Sequence, residues 1–179
     1  DVVEAVKEKA ADAAEKAGDI VEAVTEKAEE VAEKAKEVAK THSGIIIASD
    51  QVATLDTGNT TNDEIFNKPG THENAFAQLK KSSGKTVTFL TGIALLNTET
   101  SAIQVHVEPF KVNFKQLTDN QISSYLEKED VLNCAGSFKA ESLGISLFES
   151  VNSSDPSALI GLPLIKLSQL LRDRDIQTN

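Results

Sequence analysis

The sequence has 179 residues, 40% hydrophobic and 26% charged, which suits one folded domain and excludes the disordered class. Its formal net charge of -10 argues against nucleic acid or an anionic membrane as a partner. No apolar run approaches the ~20 residues of a membrane span, and no secretory signal is visible, so we expect a cytoplasmic protein.

The first predicted element is helical and covers residues 1–40. This segment consists almost entirely of Ala, Val, Glu, Lys and Asp. Its apolar residues recur at steps of three and four, which predicts one apolar stripe along a helix. Gly18 is the one break signal, so one long helix and two helices both remain open. We therefore divide the chain into a low-complexity helical segment, 1–40, and an α/β domain, 41–179.

The rest of the chain alternates between strand and helix signals. The β-branched run Ile45 to Ala48 predicts a short buried strand, and residues 56–66, rich in Asn, Thr and Gly, predict an exposed loop. This order predicts an α/β fold with a mixed, twisted sheet flanked by helices. The further predicted elements, in chain order, are a helix over 73–81, strands over 86–96 and 101–114, a helix from Thr118 to about Lys128, a strand over 146–151 and a helix over 162–172.

Two of these helices have explicit start signals. Thr71 or His72 can cap the helix over 73–81. Thr118, followed three residues later by Gln121, forms the pattern of a capping box.

Polar residues stand at several places where packing alone would not require them. Asp50 and Gln51 follow the first predicted strand, where α/β proteins often place ligand groups. Taken singly, Asp50 is equally a common turn residue, and Lys68-Pro69-Gly70 is equally a solvated turn. Cys134 is expected to be a small buried hydrophobe, because no basic cluster adjoins it in sequence.

The histidines do not suggest a metal site. They lack the spacing of metal ligands, and we expect them at the surface or in helix caps. They are His42, His72 and His106.

Together, the polar stretches match a known family. The runs SDQVATLD, NKPGTHENAFAQLKKSSGKTVTF, NCAGSFKAESLGISLFE and GLPLIKLSQLL resemble the Maf family of nucleotide pyrophosphatases. Within it, the resemblance is closest to the 7-methyl-GTP pyrophosphatase branch. It covers about residues 31–172 and leaves residues 1–30 unmatched, so residues 31–40 correspond to the first matching family helix.

The resemblance implies a fold like that of inosine triphosphatase and cleavage of a nucleoside triphosphate between its α and β phosphates, with Mg or Mn as the divalent metal. Asp50 matches the catalytic carboxylate, which binds the metal or takes a proton from the attacking water. Lys68 matches a lysine that neutralises phosphate charge. Lys34 matches a catalytic lysine, in a Lys-Ala pair on the helix before the strand. Gln51 and Glu141 match residues of substrate choice. A carboxylate suits this branch because N7-methylation makes guanine cationic.

The sequence also departs from the family pattern. Family members begin with a strand and a Ser-Thr-Ser-Pro segment whose arginines hold the triphosphate, whereas this sequence has no arginine before Arg172. The departure predicts impaired turnover. The alternative is therefore an inactive Maf-derived protein that binds nucleotide or acts as a scaffold. The resemblance also allows a homodimer.

Overall fold

A computed structural model describes residues 21–55 and 64–174 of the chain. The N-terminal half of the predicted helical segment, with its break signal at Gly18, lies outside the described residues. So does most of the predicted loop, residues 56–63. In the described ranges, no helix is long and apolar enough to cross a membrane.

The described residues form an α/β fold, as predicted, with one five-stranded sheet in the order β2-β1-β3-β4-β5. The two outer pairs, β1 with β2 and β4 with β5, are antiparallel. Short 3-10 turns occupy Ala135–Ser137, Leu143–Leu147 and Pro156–Ile160. In chain order the elements are α1 (Val21–Ala39), β1 (Ile45–Leu55), β2 (Glu64–Phe66), α2 (His72–Ser82), β3 (Thr86–Asn97), β4 (Ala102–Phe114), α3 (Asp119–Leu126), β5 (Phe148–Asn152) and α4 (Leu164–Arg172).

The chain divides into two compact units. Of the described residues, the first unit contains 21–51, 90–109 and 154–174, and the second contains 52–55, 64–89 and 110–153. Strands β1, β3 and β4 contribute residues to both units.

The predicted helix caps are confirmed. The Thr71 side chain accepts a hydrogen bond from the Asn74 backbone N–H at 3.2 Å, at the start of α2. At α3 the Thr118 hydroxyl accepts from the Gln121 N–H, and Gln121 Oε1 accepts from the Thr118 N–H at 2.9 Å. These reciprocal bonds satisfy backbone donors that the first turn of a helix leaves open.

In the first unit, helix α1 lies directly against the backbone of β3. A Cβ atom at Gly92 would stand 2.8 Å from Val31 Cγ1 and 3.1 Å from Lys27 Cγ, so a larger residue would displace the helix. The small residues Ala28 and Ala35 are fully buried on the same helix. An Ala-rich stripe buries little area per turn, and close approach over a glycine gives it a tightly packed surface.

The opposite side of β3 carries helix α4. Ile93 and Leu95 are buried in one apolar cluster with Leu167 and Leu170 of α4. Because successive strand residues point to opposite faces, Gly92 faces α1 while Ile93 faces α4. The first unit is therefore a sheet covered by one helix on each face.

The second unit has an aromatic core. Phe138 packs edge-to-face against Phe89, Phe114 and Phe148, with ring centroids 4.9 to 5.7 Å apart. Helices α2 and α3 also contact each other in this unit.

Two expectations about the first strands are wrong. Strand β1 runs on to Leu55, and it is not buried on both faces: Ile45 and Ile47 are exposed, the latter by 44%, while Ile46 is buried. An uninterrupted apolar run thus concealed an alternating strand. In the predicted exposed loop, Phe66 is only 2% exposed, because it pairs with Ala53 as part of β2.

Candidate functional site

Asp50 and Gln51 lie within β1, not beyond its end. The strand continues for four more residues after Gln51, to Leu55, so the expectation that both follow the strand is wrong. As neighbours in a strand, their side chains leave opposite faces of the sheet. The Asp50 carboxylate and the Gln51 amide therefore contact different parts of the protein.

Asp50 belongs to a network of four charges, which we call the Asp50 cluster: Lys27, Glu30, Lys34 and Asp50. The carboxylate oxygen Asp50 Oδ2 accepts hydrogen bonds from Lys27 Nζ at 2.7 Å and from Lys34 Nζ at 2.9 Å. Glu30 joins the same two ammonium groups, at 2.6 Å from Lys27 and 2.9 Å from Lys34. Helix α1 supplies three of the four groups, and the strand beneath it supplies the fourth.

The ion pairs of the Asp50 cluster stabilise the charged forms of Asp50 and Lys34. Burial raises the pKa of the Asp50 carboxyl, but the hydrogen bonds from Lys27 and Lys34 outweigh burial and hold that pKa far below its usual range. The hydrogen bond to Asp50 is the main cause that raises the pKa of Lys34. At neutral pH Asp50 is therefore a carboxylate and Lys34 an ammonium.

The donor set of the Asp50 cluster suits a metal that is shared with a substrate. Within the described ranges, no group of three or more His, Cys, Asp or Glu side chains could hold a metal ion. Mg²⁺, however, commonly binds through one or two carboxylates and completes its ligands with substrate phosphates and water. Asp50 and Glu30 are the carboxylates available in the cluster.

Gln51 lies on the other face of β1. Its side-chain Nε2 is 2.9 Å from the Thr91 hydroxyl and 2.9 Å from the Ala158 carbonyl. The Thr91 hydroxyl in turn donates to the same carbonyl at 2.9 Å. The amide hydrogens of Gln51 thus hold the turn Pro156–Ile160 against the sheet.

Asp155 holds the same turn from its other side. This buried carboxylate accepts hydrogen bonds from the N–H groups of Ile165 at 2.8 Å and Lys166 at 3.2 Å. It also accepts from the N–H of Ser157 at 3.1 Å. The predicted turn at Asp155 is thereby a cap for the first turn of α4 as well.

Lys68 and Glu141 belong to the second unit, and both side chains are exposed. Both act electrostatically on the Cys134 thiol: Lys68 favours the thiolate and Glu141 opposes it. Burial is the largest cause that raises the pKa of Cys134, which is half-buried and not a reactive thiol. The structure therefore brings Lys68 and Glu141 into the surroundings of one residue.

A rigid turn precedes Glu141. Gly136 and Ser137 have φ angles of 75° and 62°, and the Ser137 hydroxyl donates to Gln78 Oε1 at 2.5 Å. The Tyr125 hydroxyl accepts from the Lys139 N–H at 3.0 Å, and burial raises the pKa of Tyr125 to about 12. The backbone leading to Glu141 is thus held by buried side chains.

The sequence interpretation missed Lys27 and Glu30. A signal for Lys27 was present, because it stands three residues after Val24 and four before Val31, on the apolar stripe itself. Lys27 and Lys34 are also seven residues apart, which places them on one side of the helix. A lysine inside a buried stripe requires a carboxylate partner.

His106 is half-buried, contrary to the expectation of a surface or capping position. Its Nε2 lies 2.9 Å from Glu108 Oε2, and the Ser154 hydroxyl donates to the other oxygen of Glu108. Burial raises the pKa of Glu108, but the hydrogen bonds with His106 and Ser154 lower it by more than burial raises it. The net shift of the pKa is therefore downward. His42 is exposed, and His72 is the first residue of α2.

Comparison with known proteins places this sequence in a family. The family model described as Maf-like protein matches residues 2–174, so the expectation that residues 1–30 lie outside the family match is wrong. The chain is 53% identical over 134 residues to the 7-methyl-GTP pyrophosphatase of Idiomarina loihiensis, covering 75% of this chain and 65% of that protein. It is 48% identical over 133 residues to the 7-methyl-GTP pyrophosphatase of Nitrosococcus oceani, covering 74% and 64%. The chain thus spans just under two thirds of the length of these relatives. The chain belongs to the Maf family.

Proposed function

We propose that this protein hydrolyses the bond between the α and β phosphates of a nucleoside triphosphate, 7-methyl-GTP, and releases the monophosphate and pyrophosphate. The observation that carries the proposal is the Asp50 cluster, an ionised carboxylate held between two lysines in a chain of the Maf family. The names of the two relatives supply the substrate.

Asp50 acts in this reaction as a fixed negative charge. A carboxylate with so low a pKa is a weak base, because general bases work best with a pKa near the working pH. Asp50 is better suited to orient a water molecule or to hold a cation. Of the two roles implied by the family, the lowered pKa of Asp50 therefore favours metal binding over proton abstraction.

Lys34 is the lysine of the cluster that meets the phosphates. Its side chain is 47% exposed, so its ammonium can turn toward an anion in solution. Its raised pKa keeps the charge in place at neutral pH. An ammonium on a flexible stem neutralises phosphate charge without a fixed geometry.

A divalent metal, Mg²⁺ or Mn²⁺, would be held by Asp50. It would supply the positive charge that stabilises pyrophosphate as it leaves. The protein's own part is to present the carboxylate in an ionised state.

In the proposed reaction, Lys68 binds phosphate as a cation, and the Glu141 carboxylate recognises the base. N7-methylated guanine carries a positive charge, which a nearby carboxylate stabilises and which GTP lacks. Glu141 follows a turn held by buried residues, so its backbone position is fixed before substrate arrives. Gln51 acts on substrate choice through the turn Pro156–Ile160, which its amide holds.

The test is pyrophosphate release from 7-methyl-GTP in the presence of Mg²⁺ or Mn²⁺. Asp50→Asn keeps the shape of the side chain and removes its charge, and we expect turnover to fall by about 10²- to 10⁴-fold. Glu33→Gln is the matched control, since Glu33 is an exposed carboxylate of α1 that pairs with Lys36 instead. Equal turnover in the wild type and Asp50→Asn would rule out the catalytic role.

A second candidate is a protein that binds the nucleotide without cleaving it. The observation in its favour is that both ammonium groups already occupy a single oxygen, Asp50 Oδ2. Calorimetry would decide between the two: tight binding of 7-methyl-GTP with no pyrophosphate release supports this candidate, and turnover excludes it.

We also propose a cytoplasmic location and a homodimer. The location accords with Cys134, which is a free thiol and the only cysteine in the sequence. Cell fractionation tests the location, and sedimentation at several protein concentrations tests the dimer.

A further inference from the structure

Lys27 differs in burial from the other lysines of helix α1. Its side chain is 8% exposed, whereas those of Lys34 and Lys36 are 47% and 41% exposed. Lysines are rarely so deeply buried unless they are paired with acids. Lys27 is paired twice, with Glu30 and Asp50.

The fold holds the stem of Lys27 as well as its charge. Lys27 Cγ lies 3.1 Å from the point where a Cβ would stand at Gly92, so the stem packs on the bare backbone of β3. Val24, Ala28 and Val31 on the same side of α1 are buried around it. The aliphatic stem of Lys27 is therefore fixed by packing, and its ammonium reaches Asp50 from that fixed position.

The two ammonium groups on Asp50 are consequently not equivalent. If Lys34 turns away, its charge enters water at little cost, since exposed ion pairs contribute little to stability. The Lys27 ammonium cannot turn into water in the same way, because it is buried and would lose both of its acidic partners. A phosphate that draws Lys34 toward itself leaves Asp50 held by Lys27.

We propose that Lys27 is a positioning residue for the pyrophosphatase reaction, holding Asp50 Oδ2 in place while Lys34 turns to the substrate. The proposal rests on the proposed function and adds a residue to it. Lys27 itself touches neither the nucleotide nor the reacting atoms; it acts through Asp50.

The first experiment separates kcat from KM. Lys27→Met keeps an unbranched stem over Gly92 and removes the ammonium, and we expect kcat to fall about 10- to 100-fold. KM for 7-methyl-GTP should change by less than about threefold, because substrate contacts remain. Lys36→Met is the matched control. Lys36 also pairs with a glutamate three residues away in α1, Glu33, and it has no contact with Asp50 among the described ion pairs. A kcat for Lys27→Met equal to that of Lys36→Met would overturn the proposal.

The second experiment does not need turnover. A crystal structure of Lys27→Met should show the Asp50 side chain in a different rotamer from the wild type, and Lys36→Met should leave it in place. An unmoved Asp50 in Lys27→Met would overturn the positioning role. If the wild type releases no pyrophosphate, the proposed function fails, while the Asp50 rotamer still decides the role of Lys27.

A third variant covers the case in which Lys27→Met does not fold. Glu30 is 42% exposed, and Glu30→Gln removes one of the two acids that anchor the Lys27 ammonium. The expected result is a smaller fall in kcat, about two- to tenfold, together with a displaced Asp50. An unchanged kcat with Asp50 in its original rotamer would refute the proposal.

Discussion

The two units place their charged residues in opposite ways. In the first unit, Asp50 is paired with two lysines that also pair with a glutamate, and one of these lysines is almost fully buried. In the second unit, Lys68 and Glu141 are exposed, and the buried interior contains Phe138 and its aromatic neighbours. In the first unit, ion pairs hold the charged groups, whereas in the second unit hydrogen bonds of buried side chains hold the backbone before Glu141.

The difference suits the two tasks in the proposed reaction. A group that must keep one ionisation state benefits from direct ion pairs, because they outweigh the effect of burial on its pKa. A group that recognises a base must meet an incoming ligand, so it has to be exposed on a held backbone. Four predictions test this contrast, from the largest expected effect to the smallest.

Removing the aromatic core should have the largest effect on stability. Phe138 touches three other phenylalanine rings, so Phe138→Ala should lower the free energy of unfolding by about 3 to 5 kcal/mol. Chemical denaturation measures this loss. Phe76→Ala, at a half-buried ring of α2, is the comparison and should cost less. Equal losses would mean that Phe138 has no special place in the second unit.

Filling the space at Gly92 should damage the first unit. Gly92→Ala sets a methyl group against Val31 and Lys27, and overpacking of this kind costs about 1 to 3 kcal/mol. Denaturation again gives the value. Gly70→Ala serves as a contrast that has open space but a φ of 71°, so it tests backbone strain alone. A Gly92→Ala protein as stable as the wild type would contradict the close packing of α1 on β3.

The hydrogen bonds of Glu108, a second carboxylate of the first unit, should make the free energy of unfolding depend on pH. The folded-state pKa of Glu108 is lowered, so its contribution is present above the ordinary glutamate pKa of about 4.3 and is lost as pH falls through the lower, folded-state value. The loss should be about 1 kcal/mol, the net value of a typical hydrogen bond. Unfolding measured from pH 3 to 7 should show a smaller decline at the acid end for Glu108→Gln. Identical pH curves would contradict the assignment.

The smallest effect should come from the exposed carboxylate of the second unit. Glu141→Gln should lower the preference for 7-methyl-GTP over GTP by about two- to fivefold in kcat/KM, as expected for a solvated charge. The exposed Glu149→Gln is the control. A ratio unchanged by Glu141→Gln would remove Glu141 from base recognition.

Much of the fold could be predicted because its signals are local. Thr71 and Thr118 mark helix starts through bonds to residues three positions away, and such bonds are visible in sequence. The α/β class follows from the order of elements. The second half of β1 was missed because Asp50 and Gln51 look like a turn when read alone.

The Asp50 cluster could be predicted only in part. Asp50 and Lys34 carried a family resemblance, but the bond between them joins residues from a helix and a strand, and no local pattern shows such a pairing. Lys27 carried a signal, a cation on an apolar stripe, whose meaning depends on what the stripe packs against. That surface is Gly92, more than sixty positions along the chain.

Because successive side chains of β1 point to opposite faces of the sheet, the number of residues in this strand decides which side chain faces α1. The strand is held in register by pairing of Ala53, Thr54 and Leu55 with β2. If Val52 were deleted with that pairing kept, Asp50 would turn to the face now occupied by Gln51, and Ser49 would stand under the two ammonium groups. Many substitutions in this strand change one contact, but the loss of Val52 alone would exchange the carboxylate for a hydroxyl while Ser49 and Asp50 both remain in the sequence.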